Sequence, residues 1–82
     1  MENNLSIVKD QFKELPNNIE AEQAVIGSLL VNNEIYDEIS TIISGINFYD
    51  PMHQKIFGAI ENLIYKGMLA NPITLKNHFE DE

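Results

Sequence analysis

The sequence contains no cysteine, no tryptophan and no arginine. Without cysteine there is neither a disulfide framework nor a thiolate zinc site, and the absence fits a reducing compartment. Long apolar runs are also missing. The longest, AVIGSLLV, is far too short to span a bilayer, so no membrane partner is expected. The opening MENNLSIVKDQF lacks a basic n-region followed by an apolar stretch, which argues against a secretory signal and for a cytoplasmic location. No G-x-x-x-x-G-K-[ST], G-x-G-x-x-G or G-x-S-x-G occurs, so no nucleotide cradle or nucleophile elbow is expected.

Thirteen acidic residues face five lysines, for a formal net charge of −8. Nucleic-acid affinity comes from neutralising phosphates, and base reading leans on the arginine fork. With no arginine and no phosphate-binding loop, the chain is therefore expected neither to bind single-stranded DNA directly nor to hydrolyse ATP. A protein partner fits better. Eighty-two residues allow one small domain.

Helical signals run through that length. Leu5, Val8, Phe12 and Leu15 make one apolar stripe, but so short a helix is marginal alone, and residues 1–15 read as a flexible or weakly helical tail. After Pro16, Asn17 is a good N-cap with Glu20 three residues on, as in a capping box, and Asn18 is nearly as good. Glu20 and Glu22 lie two apart, so on a helix they diverge and cannot share a proton. Both belong to a first turn, where the macrodipole favours negative charge. Val25, Ile26, Leu29 and Leu30 form the core face behind them, and Gly27 predicts close approach of another helix, so that Gly27→Leu would overpack. Asn32, Asn33 and Glu34 end this helix and cap a second carrying Ile35, Ile39, Ile42 and Ile43. Gly45 suits a left-handed stop there, with Ile46 folding back.

The third helix has Asp50 as cap, Pro51 at its first position, a face of Ile56, Phe57, Ile60, Leu63 and Ile64, and Gly67 as stop. A fourth repeats the device with Asn71 and Pro72 and buries Leu75 and Phe79. No segment alternates with period two, so the chain is all-α. His53 shares the line of Phe57, Ile60 and Ile64 and reads as a locally bonded residue at the core edge. The positions three and four beyond it, Ile56 and Phe57, offer no metal ligand. His78 is near the chain end and isolated, and the acidic C-terminus lacks the pattern of a calcium loop. No catalytic, cofactor-binding or metal-binding residue is expected.

The run LPNNIEAEQAVIGSLLVNNEIYDEI resembles the opening of the N-terminal domain of bacterial replicative DNA helicases of the DnaB type, with its I-E-A-E-x-x-x-[LI]-G-x-[LM]-[LM]. Here the matching positions are Pro16, Ile19 to Glu22, Ile26, Gly27, Leu29, Leu30, Asn33 and Glu34. A second block resembles F-Y-x-x-x-H-x-x-I-F at Phe48, Tyr49, His53, Ile56 and Phe57, followed by Leu63 and Gly67. A third, ANPITL, is similar to P-I-D-x-x-T-L, with Asn71 in place of aspartate. Leu69 and Ala70 replace a proline and isoleucine, which leaves that turn less rigid.

The resemblance implies a small orthogonal bundle of about four main helices over residues 16–82, the regulatory head of a hexameric ATP-dependent helicase. In that family a helical hairpin that pairs subunits, a linker and a RecA-like ATPase follow, so a fragment of a longer helicase is expected, with the ATPase domain absent from this chain. The implied partners are the primase and the other helicase subunits, with a helicase loader as a further candidate. ATP and Mg belong to the full-length parent. Two alternatives stand beside this: a free-standing acidic helical adaptor, and the helicase-binding domain of a primase.

Overall fold

The computed structural model describes residues 18–81. It is an orthogonal all-helical bundle with no strand among the described residues. Helix α1 spans Ile19–Val31, α2 Tyr36–Ser40, α3 Pro51–Tyr65 and α4 Pro72–Glu80, with 3₁₀ turns at Asn33–Ile35 and Gly45–Asn47. The expected tail and the cap at Asn17 lie outside the described residues.

Asn18 caps α1, its side chain accepting the Ala21 N–H at 3.0 Å. That places Glu20 at the second helical position, exposed, instead of at the third position of a capping box. At its far end α1 stops without glycine. Asn32 takes an extended backbone, and its side chain accepts from Glu34 N–H at 3.0 Å to start the next turn, as the Asn-Asn-Glu run predicts.

Helix α2 is shorter than its isoleucine spacing suggests. The hydroxyls of Ser40 and Thr41 bond back to the carbonyls of Asp37 and Glu38, and the helix gives way before Ile42. Ile42 is consequently 40% exposed while Ile43 enters the core at 4%. Gly45 is not a left-handed stop. It opens a 3₁₀ turn closed by the Asn47 side chain on the Ser44 N–H at 2.8 Å, and Ile46 points outward instead of folding back.

The stop at Gly67 is as expected. Its φ of 76° sets up the paired bonds Gly67 N–H to Ile64 C=O and Met68 N–H to Leu63 C=O, both 2.9 Å. Asp50 and Asn71 cap α3 and α4, each followed by proline in the first turn. Asn71 accepts the Ile73 and Thr74 N–H groups, and its own N–H donates to the Thr74 hydroxyl.

Helix α3 is the hub, packing against α1, α4 and the Gly45–Asn47 turn. Phe57 sits at its centre with no exposed surface, 5.0 Å from the Phe48 ring and 6.3 Å from Tyr36. Val25, Leu29, Ile39, Ile60, Leu63, Ala70 and Leu75 are among the other core residues, and Phe79 is only half-buried against them.

Gly27 departs from expectation: it is exposed, and a Cβ there would meet nothing within 4 Å. No helix among the described residues approaches it, so the overpacking expected for Gly27→Leu does not apply. Gly27→Ala is expected to stabilise the domain by about 1 kcal/mol through helix propensity, read as a higher urea midpoint at unchanged slope.

Candidate functional site

Two side chains expected to be local prove to make long-range ties. The first is Glu22. It is 1% exposed, because the face of α1 that carries Val25 and Leu29 turns it inward against the start of α3. Its carboxylate accepts the Tyr49 N–H at 2.6 Å, the Asp50 N–H at 3.3 Å and His53 Nδ1 at 2.7 Å. With the carboxylate ionised, this contact requires the Nδ1–H form of His53, since a carboxylate only accepts. His53 is therefore not locally bonded. Its partner lies 31 residues away, and the ring is buried, edge-on to Phe48.

Burying a carboxylate is costly unless its lone pairs are satisfied. Here three donors surround it, and no buried side-chain polar atom among the described residues lacks a partner. The arrangement ties the first turn of α1 to the Phe48–His53 entry of α3. With Glu22 and His53 both buried, the pair offers no face to a substrate. Glu20 and Glu22 do not meet, as their spacing predicts: one is exposed and the other buried.

The second tie is Asn33. Its side-chain NH₂ donates to the Leu29 C=O at 2.7 Å and the Ala70 C=O at 2.9 Å, while its Oδ1 accepts the Ala70 N–H at 2.7 Å. The amide thus pairs with Ala70 as a neighbouring strand would. The Thr74 hydroxyl adds a bond to the Leu69 C=O at 2.8 Å. The turn before α4, less rigid by sequence, is held by these bonds. Asn33→Ala is expected to cost about 1–3 kcal/mol by stranding the amide of the buried Ala70, measured by urea unfolding.

A third polar contact lies nearer the surface. The Tyr36 hydroxyl donates to Glu61 Oε2 at 2.8 Å. Burial, then the hydrogen bond and the negative charge of Glu61, push the Tyr36 phenol from its ordinary 10.0 up to about 12. The folded state therefore holds this proton more tightly than the unfolded chain. The resulting stabilisation is complete below pH 10.0 and is lost as pH rises to about 12. Unfolding curves across that interval should show a smaller decline for Tyr36→Phe than for the unaltered chain.

Among the described residues no group of three or more His, Cys, Asp or Glu is placed to hold a metal ion, and no helix is long and apolar enough to cross a membrane. His78 stacks edge-on against Phe79 at 5.4 Å.

A helical domain whose buried polar side chains are spent on internal ties, with charge and apolar groups left on its surface, belongs to the class of small all-α domains. The comparisons with known proteins say which. The model of the DnaB-like helicase N-terminal domain matches residues 14–82, and the chain belongs to that family. It is 46% identical over 63 residues to the replicative DNA helicase DnaB of Rickettsia typhi, covering 77% of this chain and 13% of that protein. It is 39% identical over 79 residues to the replicative DNA helicase DnaB of Buchnera aphidicola (subspecies Baizongia pistaciae), covering 96% and 17%. The Pasteurella multocida replicative DNA helicase DnaB is 38% identical over 65 residues, 79% of this chain and 13% of that protein. The chain thus spans under a fifth of the length of these relatives. No solved structure is significantly similar to it.

The three family-like blocks are the segments that the two ties join. Glu22 of the first reaches His53 of the second, and Asn33 of the first reaches Ala70 of the third. The spacing of each block alone carries no sign of these partners.

Proposed function

We propose that this chain is the N-terminal protein-contact head of a replicative DNA helicase, contributing to the collar of a hexamer and to contact with the primase in the cytoplasm. The supporting observation is where the family-pattern polar residues go. Glu22, His53 and Asn33 hold the fold together, which leaves the outward surface for recognition. That surface is acidic overall and carries exposed Val31, Leu69 and Ile73 beside the Asn33–Ala70 junction. ATP hydrolysis, its Mg ion and DNA translocation belong, in this reading, to the rest of the parent protein. The head itself is non-catalytic, and a helicase loader is a further candidate partner.

An acidic head suits a partner with basic patches, and steering of that kind weakens with salt. Titration calorimetry against the C-terminal domain of the cognate primase is expected to show weak binding that fades as salt is raised. Binding should strengthen in a longer chain that includes the subunit-pairing hairpin. Absence of binding to both lengths of chain at low salt would overturn the assignment.

A further inference from the structure

We infer that the groove lined by Tyr36, Gly58, Glu61, Asn62 and Tyr65 receives an arginine side chain presented by a protein partner. This rests on the protein-contact reading above and names the chemistry of one contact within it.

The groove has a volume of about 420 Å³, enough for a long side chain and its adjoining backbone. Its one charged lining residue is Glu61, and the Tyr36 hydroxyl on Oε2 fixes that carboxylate in place. A carboxylate held by one oxygen keeps lone pairs for an incoming donor, and a guanidinium presents its N–H groups as a planar fork. The Tyr36 ring lies 6.3 Å from that of Phe57, while Tyr65 is 87% exposed, so most of its ring is open. A tyrosine face attracts a cation, arginine above all, because the planar group stacks on the ring as well. Asp37 is close enough to add to the negative potential at Tyr36.

Gly58 sets the depth of the groove. A Cβ there would meet nothing within 4 Å, so the floor is open. Across Gly58 and Asn62 lies a second groove of about 320 Å³, lined also by Lys55, Ala59, His78 and Phe79. Lys55 disfavours a cation on that side, so the arginine belongs on the Glu61 side. The net charge of −8 favours approach of a basic segment in general, and the Glu61 cup selects where its cation settles.

The test is a titration of the full ¹⁵N-labelled chain with Ac-Gly-Arg-Gly-NH₂ and with its citrulline counterpart, which keeps the shape and loses the charge. The arginine peptide is expected to shift the amides of Tyr36 and of residues 58–65, weakly and less at high salt. The citrulline peptide should leave them in place. Glu61→Gln keeps an acceptor for Tyr36 and should lower affinity about fivefold. Gly58→Gln should abolish binding by filling the floor, with helical circular dichroism showing both variants folded. Equal shifts from both peptides, shifts centred elsewhere, or undiminished binding by Glu61→Gln would overturn the proposal. Primase binding that survives Glu61→Gln unchanged, alongside a silent arginine peptide, would remove this groove and leave the helicase-head reading intact. An arginine peptide that binds as expected to a head with no affinity for primase would do the reverse.

Discussion

Glu22→Ala is expected to destabilise the domain by about 3–5 kcal/mol, because each buried donor left without an acceptor costs about 1–3 kcal/mol. The change deletes one carboxylate but strands three donors: the Tyr49 and Asp50 N–H groups and His53 Nδ1. His53, 8% exposed, cannot turn readily to water, and the carboxylate that the donors surround is 1% exposed. A domain of this size has total stability on the order of 5 kcal/mol, so the variant should be largely unfolded near body temperature. Glu22→Gln keeps an acceptor for part of the set and should lose less. Glu20→Ala, two residues earlier and exposed, should stay within about 1 kcal/mol of the unaltered chain. Urea denaturation of the three variants checks the order. A Glu22→Ala protein as stable as Glu20→Ala would mean that the carboxylate is not buried among those donors.

Phe57→Ala is the second large loss, expected at about 3–5 kcal/mol. Phe57 has no exposed surface and lies at the centre of the core, 5.0 Å from the Phe48 ring and 6.3 Å from the Tyr36 ring. Truncation removes its burial and leaves a cavity between rings that cannot close without moving α3. Because α3 packs against α1, α4 and the Gly45–Asn47 turn, collapse there would disturb every one of those contacts. Ile56, its half-buried neighbour, should cost markedly less on truncation to alanine. Thermal unfolding followed by circular dichroism distinguishes the two. A Phe57→Ala midpoint within a few degrees of the unaltered chain would contradict its central place.

Helix starts and stops were legible where one residue type does one local job. Asp50-Pro51, Asn71-Pro72 and Gly67 each act within a turn of their own position, and each behaves as its spacing predicts. Gly45 and Gly27 were misread because glycine has more than one local use. One opens a 3₁₀ turn and the other stands exposed on α1, and neither context is written in the adjacent residues. Ile42 and Ile43 fit one helical stripe on paper. The Ser40 and Thr41 hydroxyls, bonding back into the helix, ended it two residues earlier.

By itself the sequence determined the helical class, the order of the elements, most of the core and, through its three motif blocks, the family. Those features depend on periodicity and on caps, which are short-range and repeat along the chain. Only the tertiary structure decided what Glu22, His53 and Asn33 do. Glu22 in a first turn looks like a solvated dipole partner, and although helical spacing puts it, unlike Glu20, on the face of Val25, Ile26 and Leu29, its partners are not written beside it. Those partners arrive only when the Phe48–His53 segment is brought back across 31 residues of chain. A buried polar group takes its meaning from the donors that surround it, and those donors come from distant parts of the chain.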